Sequence, residues 1–210
     1  MDIITDRVSD NTNWPQETPV NLSRGKGDWA EIAKAGVCNL AEFLAWQTRE
    51  KREGSMNAEQ YAKSGKDDRE ADKKKAGWYS LAAYENKHRN GANWRGSNIV
   101  ILDADAIRAG KEGPQFSFSA DDLRQRLDGL QFLALPSHSY TDQIPRWRIV
   151  IPLSEVLTER GEFDAIARTL AQRFNSYVDP RSYTPEQLWF SMSAPKGEWD
   201  RHLERIVVGG

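Results

Sequence analysis

The sequence predicts an α+β sandwich, a sheet with helices packed on one face. Two observations carry this reading. Short apolar runs recur from Trp78 onward, as in Asn98–Asp103 (NIVILD), Gln131–Pro136 and Arg146–Leu153. Between and after them, at 119–130 and 162–174, apolar residues return at helical spacing. Runs of the first kind suit buried strands, and the second pattern suits amphipathic helices. Their order is strand, strand, helix, strand, strand, helix, strand, which argues for helices layered on a sheet.

Residues 1–27 carry Pro15, Pro19, Gly25 and Gly27 with little periodicity and read as an irregular arm. Asp28 is placed to cap a short helix through Trp29, Ile32 and Ala33. A second helix is expected near 38–50, with Leu40, Phe43 and Leu44 on one face. The stretch 50–75 is mixed charge with few apolar residues and reads as a solvated connector, its functional alternative being a basic edge near DNA. Trp78–Ala83 is expected as a strand. Ser119 caps a helix over SADDLRQRLDGL, whose Leu123, Leu127 and Leu130 share a face. The helix Glu162–Phe174 gathers Phe163, Ile166, Ala167, Leu170 and Phe174. Short strands are expected at Leu188–Met192 and Ile206–Val208. The expected organisation is thus an N-terminal arm and helical preamble over 1–75 and a core over 76–210, compatible with one continuous domain. The last residues, Val207-Val208-Gly209-Gly210, suit either a natural end or the edge of a piece of a longer protein.

Eight Trp, seven Phe and six Tyr are enough to anchor a core in 210 residues. The net charge of −2 lacks the whole-chain basic signature of a non-specific nucleic-acid coat, while leaving room for a local basic groove. Cys38 stands alone, so no intrachain disulfide forms, and no Cys/His cluster has zinc spacing. No apolar run approaches the ~20 residues that span a bilayer. The start, MDIITDRVSDN, is too polar for a signal peptide, so a cytoplasmic protein without membrane partners is expected.

The sharpest motif is IVILDADAI. Asp103 and Asp105 close an apolar strand at i and i+2, so their side chains point to one face with Cα atoms roughly 7 Å apart. Two carboxylates so close repel each other unless a cation neutralises them or one takes up a proton. A hard-cation site for Mg²⁺ or Mn²⁺ is the economical explanation, and such a pair suits two ions about 4 Å apart. Taken alone, D-x-D also ends strands without function and occurs in nucleases, glycosyltransferases and phosphatases.

Downstream, FLALPSHSYTDQIPRWRIVIPLS runs a strand into Ser137-His138-Ser139 and, after Pro145, into a strand opening Arg146-Trp147-Arg148. The period of two sets Arg146 and Arg148 on one face. Beside His138 they make a clamp suited to a triphosphate, because guanidinium binds phosphate oxygens in pairs. Asp179, in FNSYVDPRSYTPEQLWF, reads either as the Asp of an Asp-Pro turn or as a third carboxylate for the metal site.

In this order the three blocks resemble the archaeo-eukaryotic primase superfamily, nearest the primase-polymerase domains of phages, plasmids and other mobile elements. The matching segments are LDADA for the acid pair, PSHSY…PRWRIVIPLS for the histidine and arginine strand, and YVDPRSYTPEQLWF for the third acid. KKKAGWYSLAAYENKHRNGANWRGSNIVILD also looks like the basic, Gly-containing lead-in of such proteins, and the resemblance covers roughly residues 75–195. It departs where related proteins carry an arginine after the third acid: Gln187 stands there, with Arg181 nearby but out of step.

The resemblance implies an RRM-like antiparallel or mixed sheet and a DNA primase-polymerase. Its two Mg²⁺ or Mn²⁺ ions would be held by Asp103, Asp105 and Asp179. His138, Ser137, Arg146 and Arg148 would bind the nucleotide, and Lys87, Arg89 and Arg95 the DNA. Trp94 is a candidate base-stacking side chain, with core packing as the plainer reading. Implied partners are single-stranded DNA template, ribo- or deoxynucleoside triphosphates and a replicative helicase. Two other functions compete with it: a catalytically silent DNA-binding replication module, and a metal-dependent nuclease using the same acids. A rolling-circle nickase is disfavoured, because SHS supplies only one histidine.

Overall fold

The run around NIVILD is apolar at successive positions because both of its faces are covered, as expected for a strand buried on two sides. In the computed structural model, which describes residues 20–25, 31–74, 76–104, 107–108 and 115–210, this run is the centre of a long strand, Trp94–Ala104 (β5). Val100, Leu102 and Ala104 turn to one core, and Ile99 and Ile101 turn to the other. Asp103 falls on the Ile99 and Ile101 face by the same alternation.

Before β5 the chain forms the strands Val20–Gly25 (β1), Lys34–Cys38 (β2), Trp78–Ser80 (β3) and Ala83–Tyr84 (β4). Between β2 and β3 lie three helices, Leu40–Arg49 (α1), Ala58–Lys63 (α2) and Lys66–Lys74 (α3). After β5 come a two-stranded ribbon, Ile107–Arg108 (β6) with Gln115–Phe116 (β7), and a helix, Ala120–Arg126 (α4). Then follow Phe132–Pro136 (β8), Trp147–Leu157 (β9) and Arg160–Gln172 (α5). A 3₁₀ turn at Pro180–Tyr183, Trp189–Phe190 (β10), Trp199–Glu204 (α6) and Val207–Gly209 (β11) complete the chain.

The main sheet is antiparallel, in the order β11-β8-β9-β5-β4. Its principal elements, β5, α4, β8, β9, α5 and β11, follow one another as β-α-β-β-α-β. Helices α4 and α5 cover one face through Leu123, Leu127, Phe163, Ala167 and Ala171. Ser119 does cap α4, in a reciprocal capping box with Asp122. Trp147 of β9 is the largest fully buried side chain on this side, and its indole N–H donates to the Phe118 carbonyl at 2.6 Å.

The opposite face carries a second layer, where helices on one face alone were expected. An antiparallel sheet, β10-β3-β1-β2, and helix α1 bring Val20, Leu22, Phe43, Leu44 and Tyr79 against Ile99, Ile101, Leu133, Leu135 and Val150. This corrects three local readings. Residues 20–25 of the expected irregular arm are a strand, held by partners on both edges. Asp28 and Trp29 lie outside the described residues, and the segment just after them enters strand β2, because pairing with β1 overrides the weak helical pattern. The charged stretch 50–75 folds back as α2 and α3. Its backbone bonds to the segment after β10: Gly54 N–H to the Ala194 carbonyl at 2.8 Å, Ala194 N–H to Arg52 at 3.0 Å and Lys196 N–H to Met56 at 2.9 Å. Residues from both sides of position 75 therefore build one sheet and one core. No helix among the described residues is long and apolar enough to cross a membrane.

Candidate active site

Two acids far apart in sequence meet through the backbone at the end of β5. The Asp103 carbonyl accepts the Asp179 N–H at 2.8 Å, and the Asp103 N–H donates to the Ser182 hydroxyl at 3.0 Å. The loop after α5 is thereby stitched to the strand end. The Asp179 carboxylate caps the 3₁₀ turn, accepting the Arg181 N–H at 2.8 Å. The Asp-Pro turn is therefore real, and the residue that makes it also lines a cleft with Asp103. Asp105 lies outside the described residues.

The cleft encloses about 430 Å³. Arg148 stands across from Asp103 in the β5–β9 register, on the same face. Its guanidinium donates to the Phe190 carbonyl and lies 5.2 Å from the Trp189 ring centroid, so the charge is held in place. It also reaches Tyr79, whose hydroxyl is pushed up to about 12 by burial, with Arg148 pulling the other way. Arg181 and Gln187 both face the cleft, as do Glu70 and Lys73 from α3. Three cations, Arg148, Arg181 and Lys73, thus share the space with three carboxylates.

His138 is 5% exposed, and both ring nitrogens turn to protein groups. Nδ1 lies 2.9 Å from the Ser193 hydroxyl, and Nε2 lies 3.5 Å from Oδ2 of Asp72. Asp72 is itself buried on α3, and its other oxygen accepts the Ser55 N–H at 2.6 Å and the Ser55 hydroxyl at 2.8 Å. The carboxylate passes so close to Gly54 that a Cβ there would stand 2.0 Å from Oδ2. Tyr61 packs against the imidazole with ring centroids 4.7 Å apart. Burial is the main cause that brings the His138 pKa down to about 4. Lys73 adds to the fall and Asp72 opposes it.

The imidazole is therefore neutral near pH 7. Its one N–H is assigned to Nε2, because a carboxylate can only accept, and Nδ1 then accepts the Ser193 O–H. The sign of the pH effect follows. The unfolded state binds the proton more readily, so stability is full above the ordinary histidine pKa and falls as pH drops from about 6.5 toward about 4. The melting temperature is expected to fall by roughly 5 °C more over that window in the wild type than in His138→Gln. Parallel acid titrations of the two proteins would disprove the assignment. His202, buried beneath Ser137, shifts in the same direction for the same main reason.

The chain matches the model of the VapE N-terminal domain over residues 9–200. It belongs to that family. The VapE N-terminal domain is found in replication-associated proteins of phages and plasmids, which places the chain in a mobile-element replication context. Of the curated proteins and the solved structures, none matches the chain.

In this VapE N-terminal domain four residues singled out from the sequence meet at the cleft: Asp103, His138, Arg148 and Asp179, with Ser137 beside them. Arg146 lies next door, in a cavity of about 270 Å³ that shares Lys73 and His138 with the cleft. The candidate DNA contacts lie elsewhere. Arg89 donates to the Glu186 carbonyl at 2.7 Å, Arg95 pairs with Glu85, and Lys87 is exposed in a turn. Trp94 is a core residue, set edge-on to Phe163 and 5% exposed.

Sequence reasoning missed Glu70, Asp72, Lys73 and Ser193. Helix α3 reads KDDREADKK, and no apolar stripe marks the side that is buried. Among the described residues no group of three or more His, Cys, Asp or Glu is placed to hold a metal ion. Asp103 and Asp179 do bring two carboxylates to one cleft, and oxygen is the donor chemistry that Mg²⁺ and Mn²⁺ prefer.

Proposed function

We propose that this VapE N-terminal domain is a DNA primase-polymerase, joining nucleotides on a DNA template for replication of a mobile element. The observation that carries the reading is the meeting of Asp103 and Asp179 in a cleft that Arg148, Arg181 and Lys73 also line. A cleft of about 430 Å³ is of a size for a nucleotide. The carboxylates suit a divalent cation, and the guanidinium and ammonium groups among them suit a triphosphate.

Asp103 and Asp179, with Asp105 from the sequence, would hold Mg²⁺ or Mn²⁺. Such ions, when bound, supply Lewis-acid activation of a 3′-hydroxyl and neutralise charge on the leaving pyrophosphate. The remaining roles belong to the protein's own groups. Arg148, preset by the Phe190 carbonyl and the Trp189 ring, neutralises charge on the phosphates at no further ordering cost. Arg181 and Lys73 add positive charge to the same cleft. His138 acts through Ser193: by accepting the hydroxyl's hydrogen bond on Nδ1 it sets the direction of the serine oxygen beside the cleft.

The test is incubation with single-stranded DNA, labelled nucleotides and Mg²⁺ or Mn²⁺, with and without a primer. Products in both settings support a primase-polymerase. Products only with a primer support a polymerase that does not start chains. DNA binding without products sinks the enzymatic reading in favour of a silent module, and DNA cleavage without nucleotides points to a nuclease. Given products, Arg148→Gln is expected to raise the apparent KM for nucleotides about tenfold with a smaller change in kcat, the loss of one charge-assisted contact. An unchanged KM removes Arg148 from the phosphate wall.

A further inference from the structure

A second and larger concavity, of about 660 Å³, adjoins the cleft and shares Ser191 and Ser193 with it. Its outer wall belongs to β1, β2 and the segment after α1, which the proposed chemistry leaves without a task. Arg24 of β1 is the direct cross-strand partner of Lys34 of β2. Like charges at such a position repel, so the pair destabilises the sheet edge on which it stands.

The Arg24 guanidinium also lies 4.9 Å from the Trp46 ring centroid, and that of Arg52 lies 5.4 Å from the same ring. The electron-rich indole holds both cations. Arg52 is further fixed by the carbonyls of Gln47 at 2.6 Å and Trp46 at 3.2 Å. Three positive groups thus converge on one wall. Two of the three acids in the groove are engaged elsewhere. Glu53 pairs with Lys51 at 3.2 Å and accepts the N–H groups of Gly197 and Trp199, and Asp72 is bound to Ser55 and faces His138. Glu50 remains. A polyanion relieves such a cluster better than a single exposed acid, because its charges are spaced along the wall.

The line continues outward. A smaller concavity of about 370 Å³ shares Arg24, Ala33 and Lys34 with the groove and adds Lys87. Of the cations that the sequence nominated for DNA, Lys87 alone lines this route.

We propose that single-stranded DNA lies along this line, its phosphodiester backbone on Lys34, Arg24 and Arg52 and one end at the Asp103–Asp179 cleft. The choice of strand and its direction rest on the nucleotidyl-transfer reading, but the binding does not need the reaction. Trp46 serves here as the anchor of two guanidiniums rather than as a platform for bases.

The experiment is fluorescence anisotropy of fluorescein-labelled oligo(dT) titrated with the whole chain over a range of salt. The double variant Arg24→Gln, Lys34→Gln is expected to bind at least about tenfold more weakly at low salt. Its log–log salt slope is expected to fall by about 1.4, two phosphate contacts on a single strand. Its melting temperature is expected to hold or rise slightly, since the cross-strand repulsion is gone. Arg124→Gln, on α4 and paired with Asp121, is expected to bind as the wild type. Wild-type protein that fails to bind oligo(dT), or a double variant with wild-type affinity and slope, overturns the proposal. The two readings fail separately. Strand binding lost in the double variant, with no product from the wild type, keeps the groove and sinks the polymerase. Product formation with strand binding intact in the double variant does the reverse.

Discussion

Asp103→Asn is expected to lower nucleotide incorporation by about 10³-fold or more while leaving the fold intact. The substitution keeps the size of the side chain and both backbone links, the N–H to Ser182 and the carbonyl to Asp179. It removes only the negative charge and one strong oxygen donor. The fold should tolerate this, because the attraction lost to Arg148 across the strands is offset by the repulsion relieved with Asp179 and Glu70, and the amide oxygen can still accept a hydrogen bond. The measurement is incorporation of labelled nucleotide on primed single-stranded DNA, paired with a thermal melt. Incorporation within a few-fold of wild type would remove Asp103 from the chemistry. Asp179→Asn is the matched companion, since an amide oxygen can still cap the Pro180–Tyr183 turn while the charge is lost.

The second large effect belongs to a residue with no obvious chemistry. Asp72→Ala is expected to destabilise the protein by about 3 kcal/mol, enough to lower the melting temperature by roughly 10 °C. The carboxylate satisfies the Ser55 N–H and hydroxyl and faces Nε2 of His138 in a place that water barely reaches. Truncation leaves those donors without their acceptor and opens a gap between α3 and the loop at Gly54. Loss of the acceptor also frees the imidazole to change tautomer, so Ser193 loses its fixed orientation and activity falls with stability. Asp72→Asn separates the two effects. It fills the space but presents a donor and an acceptor where two acceptors were needed, so most of the packing survives while the tautomer control does not. A melt of Asp72→Ala that matches wild type would show the network to be idle.

How far the sequence reaches differs between the two halves of the site. Asp103 and Asp179 announce themselves locally, one by closing an apolar strand and the other by preceding Pro180 at the end of a helix. Arg148 was nominated by alternation within its own strand, and alternation needs no partner to be read. Glu70, Lys73 and Asp72 carried no such sign, because α3 has no apolar face. Arg181 looked out of step with the expected pattern, yet it lines the cleft together with Gln187.

By itself, then, the sequence determined the α+β class, the helices near 40–49, 120–126 and 160–172, the long strands, and three charged residues, Asp103, Arg148 and Asp179, that line one cleft. Those features depend on periodicity and capping, interactions between residues a few positions apart. Only the tertiary structure decided that β1 and β2 are strands, that a second sheet covers the other face of β5, and that a charged run contributes a buried carboxylate. Each of those outcomes turns on a partner far along the chain. Gly25 meets Trp78 in the β1–β3 register, and Asp72 faces His138. A buried charge is tolerated only where a distant group supplies its hydrogen bonds, and no local pattern reports where that group will be.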